Sequence, residues 1–92
     1  MGKYLNQDLT GSPLGARGKA TSLRLSGAEL IPTPTDLDQY PGKGIICVVE
    51  NGGFDAAAWA YSQDELNEFS KSDGRAKTWL TADINLIEKL ID

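Results

Sequence analysis

One apolar run followed by a tight turn constrains the fold of this 92-residue chain more than any other feature. Residues 45–50 read Ile-Ile-Cys-Val-Val-Glu, and four of the first five are β-branched, which favours a strand covered on both faces. Asn51-Gly52-Gly53 follows, with the residue types that a tight hairpin turn prefers. Residues 54–61 are then predicted to return as the second strand. Because one of its faces is rich in alanine, we expect a bulky element, most simply a helix, to cover it.

The segments before this hairpin contain a helix signal and a proline-rich loop. Residues 15–26 are predicted to form a helix, with Gly27 in the left-handed position that commonly follows one. Residues 28–31 are predicted to form a short strand. Residues 32–43, with three prolines, are predicted to form a loop, because proline interrupts strand pairing.

The buried face of this first helix is predicted from the spacing of its apolar residues. Intervals of seven, four and three residues define a stripe to which Leu23 does not belong. The stripe consists of Leu14, Thr21, Leu25 and Ala28. We therefore expect Leu25, and not Leu23, to face the core.

Helix and strand signals alternate in the second half of the chain. Ser62 and Glu65 have the spacing of a capping box, in which each side chain accepts a hydrogen bond from the backbone N–H of the other residue. The helix that they begin is predicted to run to about Lys71. A third strand is predicted over residues 76–81 and a last helix over residues 84–91.

These elements predict an α+β fold. We expect a small, mainly antiparallel sheet of three to four strands, with helices packed on one face. Residues 1–14 are predicted to be an N-terminal arm, and residues 15–92 a single α+β domain. A chain of this length has room for one core and not for separate cofactor and substrate domains.

Composition excludes several kinds of chemistry. The chain has no His, so imidazole catalysis and imidazole metal ligands are excluded. A single cysteine, Cys47, excludes an internal disulfide and a Cys/His zinc site, and its apolar surroundings predict a core thiol. No stretch has the apolar character of a signal peptide or a membrane span. We therefore expect a cytoplasmic protein that uses no cofactor and does not associate with membranes.

One pair of carboxylates could support catalysis. Glu50 and Asp55 flank the predicted hairpin turn, where opposed acids could share a proton or bind a divalent cation. A hairpin tip is solvated, so the preferred interpretation is that these residues are ordinary surface acids and that the protein is not an enzyme. A small metal-dependent enzyme or nuclease-like protein is the alternative that this pair leaves open.

Charged and aromatic residues form three candidate binding groups. Residues 44–92 carry nine acidic and four basic side chains, within a net charge of −4. The first group consists of the basic residues of the first helix, Arg17, Lys19 and Arg24. The second is a basic and aromatic strand segment, Arg75, Lys77 and Trp79. The third consists of carboxylates of the second helix and of the turn after it, Asp64, Glu68 and Asp73. Tryptophan beside Lys and Arg suits a nucleic-acid surface or a protein hot spot, while the alternative is that Trp79 is a core residue.

Residues 45–80 resemble small proteins encoded by bacteriophages and prophages. The residues that carry this resemblance are Cys47-Val48-Val49-Glu50-Asn51-Gly52-Gly53-Phe54-Asp55-Ala56-Ala57, then Tyr61-Ser62 with Glu65, then Arg75 with Lys77-Thr78-Trp79-Leu80. Many small acidic α+β phage proteins inhibit host machines, and anti-CRISPR proteins are among them. Because those proteins share no motif, the resemblance implies a class of function and no particular binding residue.

Size, charge and this resemblance together lead to one expectation about function. We expect a non-catalytic inhibitor that binds a host nucleoprotein complex, most concretely a CRISPR–Cas surveillance complex, and blocks its binding of nucleic acid. Carboxylates would occupy the Lys and Arg sites that normally hold the nucleic-acid backbone, and the basic residues of the first helix could contact bound RNA. The alternative is a phage structural or accessory protein that assembles through a sheet edge at Lys77–Thr81 or through the hairpin.

Overall fold

A computed structural model describes residues 16–51, 54–71 and 76–90, with the backbone alone at residues 16–19, 22, 50, 51 and 54–56. Its elements are α1 (Ala16–Leu25), β1 (Glu29–Ile31), a 3₁₀ turn (Leu37–Gln39), β2 (Lys43–Asn51), β3 (Phe54–Ala60), α2 (Gln63–Ser70), β4 (Lys77–Asp83) and α3 (Ile84–Leu90). The α+β fold with a four-stranded antiparallel sheet is therefore confirmed. None of the described helices is long and apolar enough to cross a membrane.

The sheet is built around the predicted hairpin. Its strand order is β1-β4-β2-β3, and every neighbouring pair is antiparallel. β2 pairs with β3 from Ile45 opposite Ala60 to Asn51 opposite Phe54, which confirms the predicted hairpin. The two residues between them in sequence, Gly52 and Gly53, lie outside the described residues.

The position of β4 corrects one prediction. Assembly through a sheet edge at Lys77–Thr81 requires this segment to be free on one side. Instead β4 lies between two strands, and Trp79 and Thr81 are paired with β1 on one side and with β2 on the other. Thr81 is also buried, and its hydroxyl donates a hydrogen bond to the Gly44 carbonyl at 2.9 Å. The C-terminal part of this segment is therefore interior to the sheet.

Apolar side chains lie on both faces of the sheet. On one face Ile46, Val48 and Leu80 pack against α1 and α3. On the other face Ile45 and Cys47 pack with α2 and with the loop around the 3₁₀ turn. Side chains alternate between the two faces of a strand, so the apolar run of β2 needs cover on both sides. The prediction that all helices pack on one face is wrong, since α2 lies opposite to α1 and α3.

Trp79 belongs to the second of these two core layers. The residue is 5% exposed and packs with Ile45, Cys47 and Leu66. Burial of so large a side chain contributes strongly to the stability of a small domain. The assignment of Trp79 to a partner-binding surface is therefore corrected, because its indole ring is enclosed by its own chain.

The end of α1 has the geometry of a Schellman motif. Gly27 has a φ of +119°, and its N–H donates to the Arg24 carbonyl at 3.0 Å. The Ala28 N–H donates to the Leu23 carbonyl at 3.1 Å, and both side chains belong to the same core layer. The predicted role of Gly27 is confirmed. This motif turns the chain directly from α1 into β1.

The buried face of α1 differs from the predicted stripe. Ala20 and Leu23 face the core, and Leu23 is 0% exposed. Thr21 is exposed, and Leu25 is 86% exposed. The predicted assignment of Leu25 to the core, with Leu23 away from it, is therefore wrong. The core-facing pair has the three-residue spacing of neighbours on one side of a helix.

Tyr61 supplies a prediction about pH. Its hydroxyl oxygen is buried, and the described residues offer it no hydrogen bond of normal geometry. Burial raises the pKa of Tyr61 above its ordinary value of 10.0, and the negative charge of the nearby Glu88 raises the pKa further. At neutral pH we expect Tyr61→Phe to change the free energy of unfolding by less than about 1 kcal/mol, because it removes a polar group that gains little from folding.

Alkaline pH should lower the stability of the wild type more than that of the Tyr61→Phe variant. Above pH 10.0 the unfolded tyrosine ionises while the folded one stays protonated, so the wild type loses stability as pH rises through the folded-state pKa of Tyr61. The Phe variant lacks this contribution and should decline less. Urea titrations of both proteins at neutral pH and at about pH 11 measure the difference, and the remaining tyrosines are common to both. An equal loss of unfolding free energy in the two proteins at about pH 11 would contradict the raised pKa of Tyr61.

Candidate binding surface

The start of α2 is held by two side chains. The Glu65 N–H donates to Ser62 Oγ at 3.3 Å, which confirms the serine half of the predicted capping box. Glu65 Oε1 accepts from the Tyr61 N–H at 3.0 Å, one residue earlier than predicted, and from the Ser62 hydroxyl at 3.3 Å. Leu66 then points into the core, while Asp64 and Glu68 are exposed. The cap therefore determines which carboxylates α2 presents to a partner.

Gln63 joins α2 to the loop that precedes β2. Its Oε1 accepts from the Leu37 N–H at 2.8 Å, and its Nε2 donates to the Thr35 carbonyl at 3.0 Å. The same amide nitrogen also donates to Asn67 Oδ1 at 3.0 Å. The bonds to Leu37 and Thr35 span 26 and 28 residues of sequence, so one side chain determines where the loop lies beside the helix.

Four exposed carboxylates lie on the loop and the helix that this junction joins, and we call them the acidic surface: Asp36, Asp38, Asp64 and Glu68. Asp36 Oδ1 accepts from the Asp38 N–H at 2.9 Å, which caps the 3₁₀ turn and orients the loop. Lys71 forms an ion pair with Glu68, and this hydrogen bond and positive charge lower the pKa of the Glu68 carboxyl group. Glu68 therefore remains ionised at moderately acidic pH.

The arrangement of the acidic side chains can be compared with that of a metal site. In the ranges that the structure describes, no three His, Cys, Asp or Glu side chains form a group that could hold a metal ion. Glu50 and Asp55 are directly opposite each other in the β2–β3 register, as the sequence suggested. Their side chains are not among those described.

The described members of the three predicted binding groups lie on α1, β4 and α2. Arg17, Lys19 and Arg24 all lie on α1, where Arg24 is exposed and the backbone alone is described at the other two. Asp64 and Glu68 are exposed on α2. Asp73 and Arg75 lie outside the described residues.

Lys77 lies near the end of α2. It is half-buried on β4, and its Nζ donates to the Lys71 carbonyl at 3.4 Å. A cation is favourable at the C-terminal end of a helix, where carbonyl groups lack partners within the helix. At least one role of Lys77 is therefore within its own chain.

A groove between α1 and β1 was not predicted from the sequence. It has a volume of about 770 Å³, with Leu25 and Arg24 on one side and Glu29 and Leu30 on the other. Both leucines are exposed, Leu25 at 86% and Leu30 at 53%. The sequence signal that could have indicated this groove was Leu25 itself. It lies two residues from Leu23, so the two leucines cannot both face the core.

Comparison with protein-family models, with curated proteins and with solved structures found no match to this chain. The acidic surface and the groove are the two candidate binding surfaces of the described residues. The acidic surface lies on the side of the sheet covered by α2, and the groove lies beside α1. The two surfaces can be altered separately by mutation.

Proposed function

We propose that this protein is a non-catalytic inhibitor that acts in the bacterial cytoplasm and binds a host nucleoprotein complex through the acidic surface. The target we propose is a CRISPR–Cas surveillance complex, the class implied by the resemblance to small phage proteins. The supporting observation is the junction at Gln63, which holds carboxylates from α2 and from a distant loop beside each other.

Preorganisation is the physical reason to choose this surface. A site that binds nucleic acid presents Lys and Arg side chains toward phosphate groups. Carboxylates on capped elements can pair with such cations at a smaller entropic cost than carboxylates on a free loop. Asp64 and Asp36 lie on elements whose first turns are both capped by side chains. The net charge of −4 would also steer the protein toward a basic channel.

Charge reversal on α2 tests the proposal. Affinity for a purified surveillance complex is measured at low and at physiological salt, together with competition against its target nucleic acid. We expect Asp64→Lys to weaken binding by about tenfold or more at low salt, because it places a cation against cations. Glu68→Lys should have a smaller effect, since Lys71 already neutralises part of its charge. Both variants should reduce the dependence of affinity on salt.

A matched control distinguishes the surface from net charge. Glu88→Lys makes the same change of charge at an exposed position on α3, across the sheet from α2, and should leave affinity nearly unchanged. Gln63→Ala leaves all charges in place but releases the loop, and should weaken binding without changing its salt dependence. If wild type and Asp64→Lys bind equally at both salt concentrations, the acidic surface is not the contact. The absence of any complex would reject the target.

The alternative function is a phage structural or accessory protein. One observation favours it, namely the two exposed leucines in the groove between α1 and β1. Exposed apolar residues that share a concave surface are typical of protein–protein contacts.

A further inference from the structure

The groove between α1 and β1 has two walls of opposite charge. The α1 wall carries Arg24 and Leu25, and the β1 wall carries Glu29 and Leu30. Each wall therefore pairs one charged residue with one exposed leucine next to it in sequence. The two walls are close in sequence because the chain turns directly from α1 into β1 at Gly27.

The two leucines are the large hydrophobic side chains that stand exposed among the residues that the structure describes. Both lie in this one groove, while the neighbouring Leu23 and Leu80 are fully buried. A groove of about 770 Å³ is large enough to receive side chains from another molecule. Exposed apolar area concentrated in this way indicates a docking surface.

We propose that this groove is the interface of a twofold-symmetric homodimer. In a twofold interface the same patch meets itself, so the α1 wall of one protomer faces the β1 wall of the other. Arg24 would then meet Glu29 of the second copy, and Leu25 would meet Leu30, twice in each dimer. A partner of uniform charge would instead leave either Arg24 or Glu29 against a like charge, which favours a second copy of this chain.

Both charged residues are available for such pairing. The side chain of Glu29 is 72% exposed, and its distance to Lys43 Nζ is 3.9 Å, too long for a direct hydrogen bond. Arg24 is exposed, with no ion pair in the described part of the chain. The sheet also ends at β1, which pairs with β4 on one side only, so a second β1 can approach its outer edge.

Sedimentation velocity from low micromolar to near-millimolar concentration tests the dimer. We expect the mass of the wild type to rise from 9.9 kDa toward twice that value. Arg24→Glu and Glu29→Arg should each weaken self-association by about 10- to 100-fold, because each places like charges together at both contacts. Lys89→Glu, at an exposed position on α3, makes the same charge change as Arg24→Glu and should self-associate like the wild type.

Mixing the two charge variants provides the decisive test. Arg24→Glu and Glu29→Arg, each monomeric alone, should form a heterodimer, because acidic walls then meet basic walls. A chain carrying both substitutions should again form homodimers. A constant mass of 9.9 kDa in the wild type overturns the proposal. Self-association that neither charge variant alters, or variants that stay monomeric when mixed, overturns it equally. Circular dichroism of each variant verifies that it is folded.

Discussion

Leu23→Ala is expected to lower the free energy of unfolding by about 2–5 kcal/mol, whereas Leu25→Ala changes it by less than about 0.5 kcal/mol. Both substitutions replace leucine by alanine in α1, so their helix propensities change alike. The difference is burial, since Leu23 is 0% exposed and Leu25 is 86% exposed. Leu23 packs in the layer of Ile46, Val48 and Leu80, and its truncation leaves a cavity there.

Urea denaturation followed by tryptophan fluorescence measures both effects. The experiment is done at a concentration below self-association, because Leu25 lies in the proposed dimer groove. For a domain of this size, a loss of 2 kcal/mol corresponds to a fall in Tm of roughly 8 °C or more, so thermal denaturation gives an independent measure. Equal losses for the two variants would contradict the observed orientation of α1. A larger loss for Leu25→Ala would support the stripe predicted from sequence.

The wrong prediction for α1 shows why the spacing of apolar residues did not identify the buried face of this helix. Leu23 and Leu25 lie two residues apart, on opposite sides of a helix, and only one can face the core. The predicted stripe gained apparent support from Thr21 and Ala28, although Ala28 lies beyond the end of the helix. The contact that decides the orientation joins Leu23 to strands 20 and more residues away. A short helix with few apolar residues does not encode such a contact in its own pattern.

The hairpin was predictable because its signals are local and agree with one another. A β-branched run, a turn rich in glycine and a second strand all favour the same register. The same run also predicted a strand covered on both faces, and Ile45 and Ile46 are both fully buried. That observation conflicts with helices on only one face. A strand that is apolar on both faces requires a covering layer on each, and α2 and the loop before β2 provide the second one.

The candidate site was predictable only in part. Asp64 and Glu68 could be assigned to an exposed helix face, because the capping box placed the start of α2 correctly. Their neighbours Asp36 and Asp38 come from a loop that Gln63 holds through hydrogen bonds across 26 and 28 residues. A glutamine has no sequence signature that distinguishes such a role from an ordinary surface position. Trp79 was misplaced for a similar reason, since its burial depends on how β4 pairs between two strands.

Gly44→Ala is expected to lower the free energy of unfolding by about 1–3 kcal/mol, although alanine is ordinarily preferred over glycine inside a strand. A Cβ atom at this position would lie 2.8 Å from Ile87 Cδ1 and 2.9 Å from two ring carbons of Tyr61. These atoms belong to packed side chains of α3 and of the residue that follows β3. The new methyl group must therefore displace the Tyr61 ring and the end of the Ile87 side chain.

A double-mutant cycle tests this explanation. Ile87→Val removes the closest methyl group and by itself should cost about 0.5–1.5 kcal/mol. Combined with Gly44→Ala, it should cost less than the sum of the two single effects, because the overlap with Ile87 Cδ1 is gone. Gly42→Ala provides a contrasting control, since its Cβ would meet no atom within 4 Å but its φ is +77°. Its cost should come from backbone strain, and Ile87→Val should not relieve it. Strict additivity of Gly44→Ala and Ile87→Val would show that close packing under α3 is not what requires glycine at position 44.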